Sequence, residues 1–313
     1  MPEATTNFVA AQATNRWNTL ILLGILTAIA ALLGYLAGAV IDGGDWHFVS
    51  GLGVAAAIAM AAISIVWSMI SLAFGARMVL SMADAKEITK ADAPQLYNIV
   101  EEMTIASGLP MPKILVMETD ALNAFATGTT PSNSAIAVTR GLLDTLSRDE
   151  LQGVVGHEMS HVANLDTRYM TVVGVTVGLI ALVSDMIMRS LQWGSFRNRD
   201  SDKKGSGSGF LIIILIVVAV LAPLAARAVQ MAVSRQREYL ADATSVQFTR
   251  NPSGLISALA KLEAAAKPFP GVSNATQHLF IVNPMQRITE KTTALMATHP
   301  EIGDRIARLR NLG

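Results

Sequence analysis

Residues 147–166 read SRDELQGVVGHEMSHVANLD, and the organisation of the chain follows from them. Ser147 with Glu150 three residues on is a capping-box pattern: the hydroxyl meets the N3 amide and the carboxylate returns to the N-cap amide. It starts a helix just ahead of an apolar-periodic run through Leu151, Val154, Val155 and Val162. On that helix His157 and His161 stand four apart and share a face, where two imidazoles can reach a single ion. Glu158 projects beside that face, placed to take a proton from water held by the ion. The bland alternative is a solvent-facing helix with two unrelated histidines. The apolar side and the capped start argue against it.

A tetrahedral zinc site of catalytic type takes three protein ligands and keeps a fourth position open for water. The 313 residues contain no cysteine, so thiolate ligation and disulfides are excluded and the third ligand must offer nitrogen or oxygen. Downstream, residues 234–242 read SRQREYLAD and place Glu238 and Asp242 four apart on another helix. One carboxylate could complete the metal set, and the other could accept the free ring N–H of a bound histidine. Spacing leaves open which does which, and also leaves open an ordinary surface pair with Arg235 or Arg237.

Only 15% of residues are charged and 51% are hydrophobic, against about 25% charged in a typical soluble domain. That deficit points to membrane burial. The net charge is zero, which gives no electrostatic case for a nucleic acid partner. Residues 20–40 and 49–74 carry no charge, and each run has the roughly 20 residues needed to cross a bilayer. They predict a transmembrane hairpin. Arg16 precedes it, Arg77, Lys86 and Lys90 follow it, and its loop holds Asp42 and Asp45 but no base, so both ends are expected in the cytoplasm. A cleaved signal peptide, with Ala37-Gly38-Ala39 as its site, fits less well, because the apolar run exceeds the usual core of about 7–15 residues.

Two shorter apolar runs, 170–183 and 210–226, flank a linker with Arg197, Arg199, Lys203 and Lys204. If both runs cross, that basic linker is external, against the positive-inside rule; crossing and re-entrant readings both stay open. His47 reads as interfacial and His278 carries no motif.

The region between the second and third runs predicts a small folded layer. A helix begins near Pro94, runs through Tyr97, Val100 and Met103, and ends at Gly108 and Pro110; strands are expected over 113–118 and 134–139, around the Pro131-Ser132-Asn133 turn. Pro252 behind Asn251, and Pro300 behind His299, read as first helical positions. The fold class expected is mainly α with a small β-sheet (α+β), on a multi-span helical membrane anchor. The expected division is a tail and hairpin over 1–76, a first catalytic part over 77–168, apolar segments and linker over 169–226, and a second catalytic part over 227–313.

Four segments in order, His157-Glu158-Met159-Ser160-His161, residues 234–242, Asn123-Ala124-Phe125-Ala126-Thr127-Gly128 and Thr298-His299-Pro300, together resemble the HtpX family of membrane zinc metallopeptidases, over nearly the whole chain from about Trp17. The resemblance implies a gluzincin-like metalloprotease domain with one zinc ion per chain, held by His157, His161 and Glu238, and Glu158 as general base. It implies that Asp242 supports His157. It further implies that Asn123, Ala124 and Phe125 belong to an edge strand against which a substrate backbone pairs, which would tolerate many sequences. His299 and Arg305 are the candidate donors to the oxyanion, with helix capping and a structural ion pair as their alternatives. The family belongs to bacterial inner membranes, where it cleaves membrane or misfolded polypeptides in quality control and stress response. The expected partners are therefore such polypeptides and the lipid bilayer. A scaffold with a structural zinc would have no use for Glu158. A transporter would call for paired charges inside its spans, and the first two runs hold none.

Overall fold

The computed structural model describes residues 8–42, 49–192, 212–222, 234–265 and 300–312. The expectations for His47, His278, His299 and the basic residues of the linker lie outside the described residues. The described chain is mainly helical with one small sheet, as the sequence predicts. Its helices are α1 (Phe8–Ile41), α2 (Gly51–Met82), α3 (Pro94–Ser107), α4 (Arg140–Thr145), α5 (Arg148–Ala163), α6 (Asp166–Gln192), α7 (Ile212–Ala222), α8 (Ser234–Thr249), α9 (Pro252–Ala264) and α10 (Ile302–Arg310). Its strands are β1 (Lys86–Glu87), β2 (Lys113–Met117), β3 (Ala124–Gly128) and β4 (Ser134–Thr139).

Two compact units divide these elements: one from residues 1–19, 72–174 and 231–313, the other from 20–71 and 175–230. In the first unit the described strands form one sheet in the order β1-β2-β4-β3. β2 and β4 run parallel, with Lys113 opposite Ala135, while β3 lies antiparallel on β4, with Phe125 opposite Ala137. β3 is therefore an edge strand. Against the sheet, Leu96, Ile99, Val100 and Met103 of α3 and Leu151, Val154, Val155, Met159 and Val162 of α5 form a continuous core with Ile114, Val116, Ile136 and Val138. This is the apolar side of α5 read from the sequence, now seen buried.

Local signals set the ends. Pro94 opens α3, and Gly108, at φ 69°, closes it in the left-handed conformation that glycine adopts at little cost. Asn251 caps α9 by accepting from Gly254 N–H, with Pro252 in its first turn. Pro300 behaves differently from expectation: α10 begins at Ile302 behind Glu301, so Pro300 precedes the helix instead of opening it.

α5 lies at the centre of the unit and packs on α3, α8, α9 and β3. The contact with α9 is backbone-close at Gly153, where an added Cβ would stand 2.7 Å from Leu255 N and 2.9 Å from Leu255 Cα. Neither atom can swing aside. Gly153→Ala is expected to cost about 1–3 kcal/mol, the range for overpacking a tight core, read as a lower midpoint in detergent unfolding.

In the second unit α1 and α2 approach through small residues. A Cβ on Gly34 would lie 2.7 Å from Ala56 O, and one on Gly38 2.7 Å from Leu52 O. Small residues four apart let membrane helices come into backbone contact. Thr27 Oγ1 and Ser64 Oγ, 3.1 Å apart, add a hydrogen bond between the two helices. Residues 12–41 and Gly51–Met82 are long and apolar enough to cross a membrane, and Ile58, Ile63, Val66 and Met69 present bare apolar side chains. The third apolar run lies within α6, which extends to Gln192.

Candidate metal centre

α5 is pinned at its start before it carries any chemistry. Ser147 and Glu150 form the full capping box. Glu150 is buried and takes two further donors, the Ser257 hydroxyl and Lys261 Nζ, the latter at 2.7 Å. Burial raises the pKa of this carboxyl, but Lys261, Ser257 and the Ser147 amide more than offset it and hold it at about 2.

Two turns further on, His157 and His161 face each other with their Nε2 atoms 3.2 Å apart. Each opposite ring nitrogen has a carboxylate. His157 Nδ1 lies 2.9 Å from Asp242 Oδ1, and His161 Nδ1 lies 3.0 Å from Asp166 Oδ2. With Nδ1–H donating in each ring, both Nε2 atoms carry lone pairs directed at the same point. Glu238 closes the group, with Oε2 3.7 Å from His157 Nε2 and Oε1 3.6 Å from His161 Nε2. One ligand atom from each of the three lies within 4.8 Å of the others, and all three side chains are buried. With both rings neutral these acceptor atoms repel one another, and a bound cation or a proton on Nε2 relieves that repulsion. Zinc–nitrogen bonds of about 2.0–2.1 Å at a tetrahedral angle would set two nitrogens about 3.3 Å apart, so the residues fit a metal ion.

α8 supplies Glu238 and Asp242 from one face, four residues apart. Asp242 is fixed from behind by Arg305, whose Nε donates to Oδ2 at 2.9 Å and whose Nη2 donates to Oδ1 at 2.7 Å. Arg305 is fully buried, and its Nη1 stands 3.6 Å from Glu238 Oε2. Burial pushes the Asp242 pKa up, but the Arg305 charge and its hydrogen bonds, with His157, bring it down to about 2. For His157, burial and the Arg305 charge act downward, and the hydrogen bonds to Asp242 and Glu238 override them to about 9. Glu158, also buried, has its pKa raised chiefly by that burial.

Glu158 reaches the sheet edge. Thr139 N–H donates to Asn123 O at 3.0 Å, and the alternation of an antiparallel ladder then turns Phe125 and Thr127 toward β4 and Ala124 and Ala126 toward the free edge. The Ala126 N–H meets the Glu158 carboxylate, and the Ala124 N–H meets Asn123 Oδ1 at 3.0 Å. Of the three edge-strand residues singled out from the sequence, Asn123 is buried at the strand entrance, Ala124 faces the edge, and Phe125 turns its backbone inward.

Asp166 was not foreseen. It follows His161 by five residues, off the helical face, and only a break brings it back: Leu165, at φ 60°, interrupts the chain between α5 and α6. A leucine in that conformation leaves no mark in a sequence pattern.

A helix offering two imidazoles, a carboxylate from its neighbour and two long apolar helices are parts that a membrane metalloprotease needs. The sequence profile of peptidase family M48 matches residues 90–312, and the chain belongs to that family. It is 41% identical over 289 residues to a Protease HtpX homolog of Streptococcus uberis, covering 92% of this chain and 93% of that one. It is 40% identical over 301 residues to a Protease HtpX homolog of Tropheryma whipplei, covering 96% and 97%. The crystal structure of S. mikatae Ste24p superposes with a TM-score of 0.50 at 19% identity, over 80% of this chain and 57% of that one, a likeness of fold.

Proposed function

We propose that the chain is a zinc-dependent endopeptidase of a bacterial inner membrane, with one zinc ion held by His157, His161 and Glu238. The observation that carries this reading is the convergence of two imidazole Nε2 atoms and one carboxylate, each imidazole backed by its own carboxylate. Zinc bound there supplies a Lewis acid for the scissile carbonyl and lowers the pKa of water toward about 7. Glu158 takes the proton of the attacking water and passes it to the leaving amine.

Asp242 holds His157 in the tautomer that leaves Nε2 free. Arg305, with two donors on Asp242 and no exposed surface, is assigned to positioning that carboxylate. His299 and the Arg305 Nη1, which has no hydrogen-bond partner among the described residues and stands 3.6 Å from Glu238 Oε2, both stay candidates for the donor to the oxyanion. A substrate main chain is taken along the outer edge of β3, where the Ala124 and Ala126 N–H groups now held by Asn123 Oδ1 and Glu158 would turn to it, with Asn123 at its entrance. Main-chain pairing of this kind is the same for every residue, which suits unfolded or membrane-protein polypeptides. The catalytic domain comprises 77–168 and 227–313, divided by 169–226, and faces the cytoplasm by the placement of Arg16, Arg77, Lys86 and Lys90. Quality control of membrane proteins under stress is the physiological role that fits.

The test is cleavage of casein by the purified full chain in detergent, with zinc and with a chelator. Cleavage that requires zinc is expected. Stoichiometric zinc without any cleavage of casein or of an unfolded membrane protein would overturn the peptidase assignment. A second outcome follows from His157. In the metal-free protein its proton, held up to about pH 9, must leave before Nε2 can bind zinc. Apparent zinc affinity is therefore expected to fall about tenfold per unit as pH drops from 8 to 6. A chelator-competition titration at three pH values, corrected for the chelator, measures the slope; a flat profile counts against His157 as ligand.

A further inference from the structure

The C-terminal carbonyls of a helix have no partners within it. At the end of α5 two carbonyls are met by the first helix of the chain. Gln12 Nε2 donates to Ala163 O at 2.7 Å, and Asn15 Nδ2 donates to Asn164 O at 2.9 Å. Three residues apart, these amides share one face of α1. Thr19, one turn on, returns its hydroxyl to Asn15 O at 2.7 Å.

Among the described residues, Asn15 has a second acceptor that Gln12 lacks. Its Nδ2 lies 2.7 Å from Asp166 Oδ1, and the other oxygen of that carboxylate is the one 3.0 Å from His161 Nδ1. An amide NH2 carries two hydrogens, and both are engaged here, one on a carbonyl and one on a carboxylate. That pairing fixes the rotation of the Asn15 side chain and, through it, the plane of the Asp166 carboxylate. Arg237 Nε stands 3.8 Å from the same Asp166 oxygen, beyond hydrogen-bonding distance. Asn15 is 7% exposed and Asp166 not at all, so solvent does not compete for these bonds.

We propose that Asn15 is a positioning residue of the metal centre, acting on His161 through Asp166, so that the helix carrying the first apolar run is also part of the support of the metal site. The proposal rests on His161 being a metal ligand. Partners in the outer shell of a metal site orient the ligating imidazole, and their loss weakens metal binding by about 10–100-fold. A plain helix cap would have no such effect, and Gln12 supplies that comparison within the same helix face.

The experiment uses the full chain in detergent and reads the zinc dissociation constant by competition with a chromophoric chelator. Asn15→Ala is expected to weaken zinc binding by about tenfold, at the lower end of that range because it acts one residue further out. Gln12→Ala is expected to stay within about twofold of wild type, since it touches no group of the metal site. In an Asp166→Ala background Asn15→Ala should add nothing further, because the relay is already cut. Unchanged affinity in Asn15→Ala, equal weakening by Gln12→Ala, or additivity in the double variant would each overturn the relay. Should Asn15→Ala fail to fold, Asn15→Ser carries the same test by the same criteria. A wild-type chain that binds no zinc overturns the metal site itself; a wild-type chain that binds one zinc, matched by Asn15→Ala, overturns only the relay.

Discussion

Glu158→Gln is expected to bind zinc as tightly as the wild-type chain and to lose casein cleavage by about 10²–10⁴-fold, the range for removing a positioned acid–base group. The expectation comes from where the carboxyl sits. Glu158 is outside the group formed by His157, His161 and Glu238, so its amide analogue leaves the ligand set intact. Glutamine is nearly isosteric, and its carbonyl oxygen can still accept the Ala126 N–H that now meets the carboxylate. The edge of β3 should therefore hold its place, and the difference between the two proteins is the proton. Zinc content and turnover, measured on the same preparation, separate the possibilities. Near-normal hydrolysis would remove Glu158 as the base, while loss of zinc would make it a ligand.

The second large effect is one of stability. Arg305→Met removes a fully buried guanidinium and leaves the buried Asp242 carboxylate without its two donors. Breaking a buried pair from one side costs about 3–5 kcal/mol, most of it from the charge left behind. Asp242 then has to be protonated or rehydrated, and either change disturbs the bond to His157 Nδ1. Zinc affinity should fall together with the unfolding midpoint. The pH dependence gives a further check. In the folded chain Asp242 is held at about 2, below the ordinary value of about 3.9 in an unfolded chain. Its contribution to stability is thus fully present above about pH 4 and lost as pH falls toward 2. In Arg305→Met that acid-labile contribution should shrink to the part that His157 supplies. A midpoint unchanged from wild type would show that the pair contributes little net stability.

The sequence carried most of what local chemistry can encode. The Ser147–Glu150 capping box, the apolar side of α5, the two long apolar helices, and the start of α9 behind Asn251 are local patterns, and each has its counterpart in the structure. The i,i+4 spacing of Glu238 and Asp242 put both on one face but could not say which meets the metal, because that depends on how α8 packs on α5. The sheet order was beyond reach for the same reason: β2 and β4 pair in parallel across an intervening strand, and no residue type specifies that crossover. Asp166 and Asn15 escaped notice for different reasons. Asp166 reaches His161 only through the left-handed Leu165, a conformation leucine does not advertise. Asn15 stands on α1, a helix whose reading is dominated by the apolar residues that follow.

The first unit is built from stretches at both ends of the chain and one in the middle, with His161 on α5 and Glu238 on α8, beyond the third and fourth apolar runs. During synthesis, a ribosome that has completed α5 has made two imidazoles and Glu158 but not Glu238, and Arg305 emerges later still. On the ligand assignment proposed above, the growing chain cannot cut anything, itself included, until its last apolar segment has been made and α8 has docked. Discontinuity of the domain thus acts as a timer: on that assignment the metal site is complete only once α8 has joined α5.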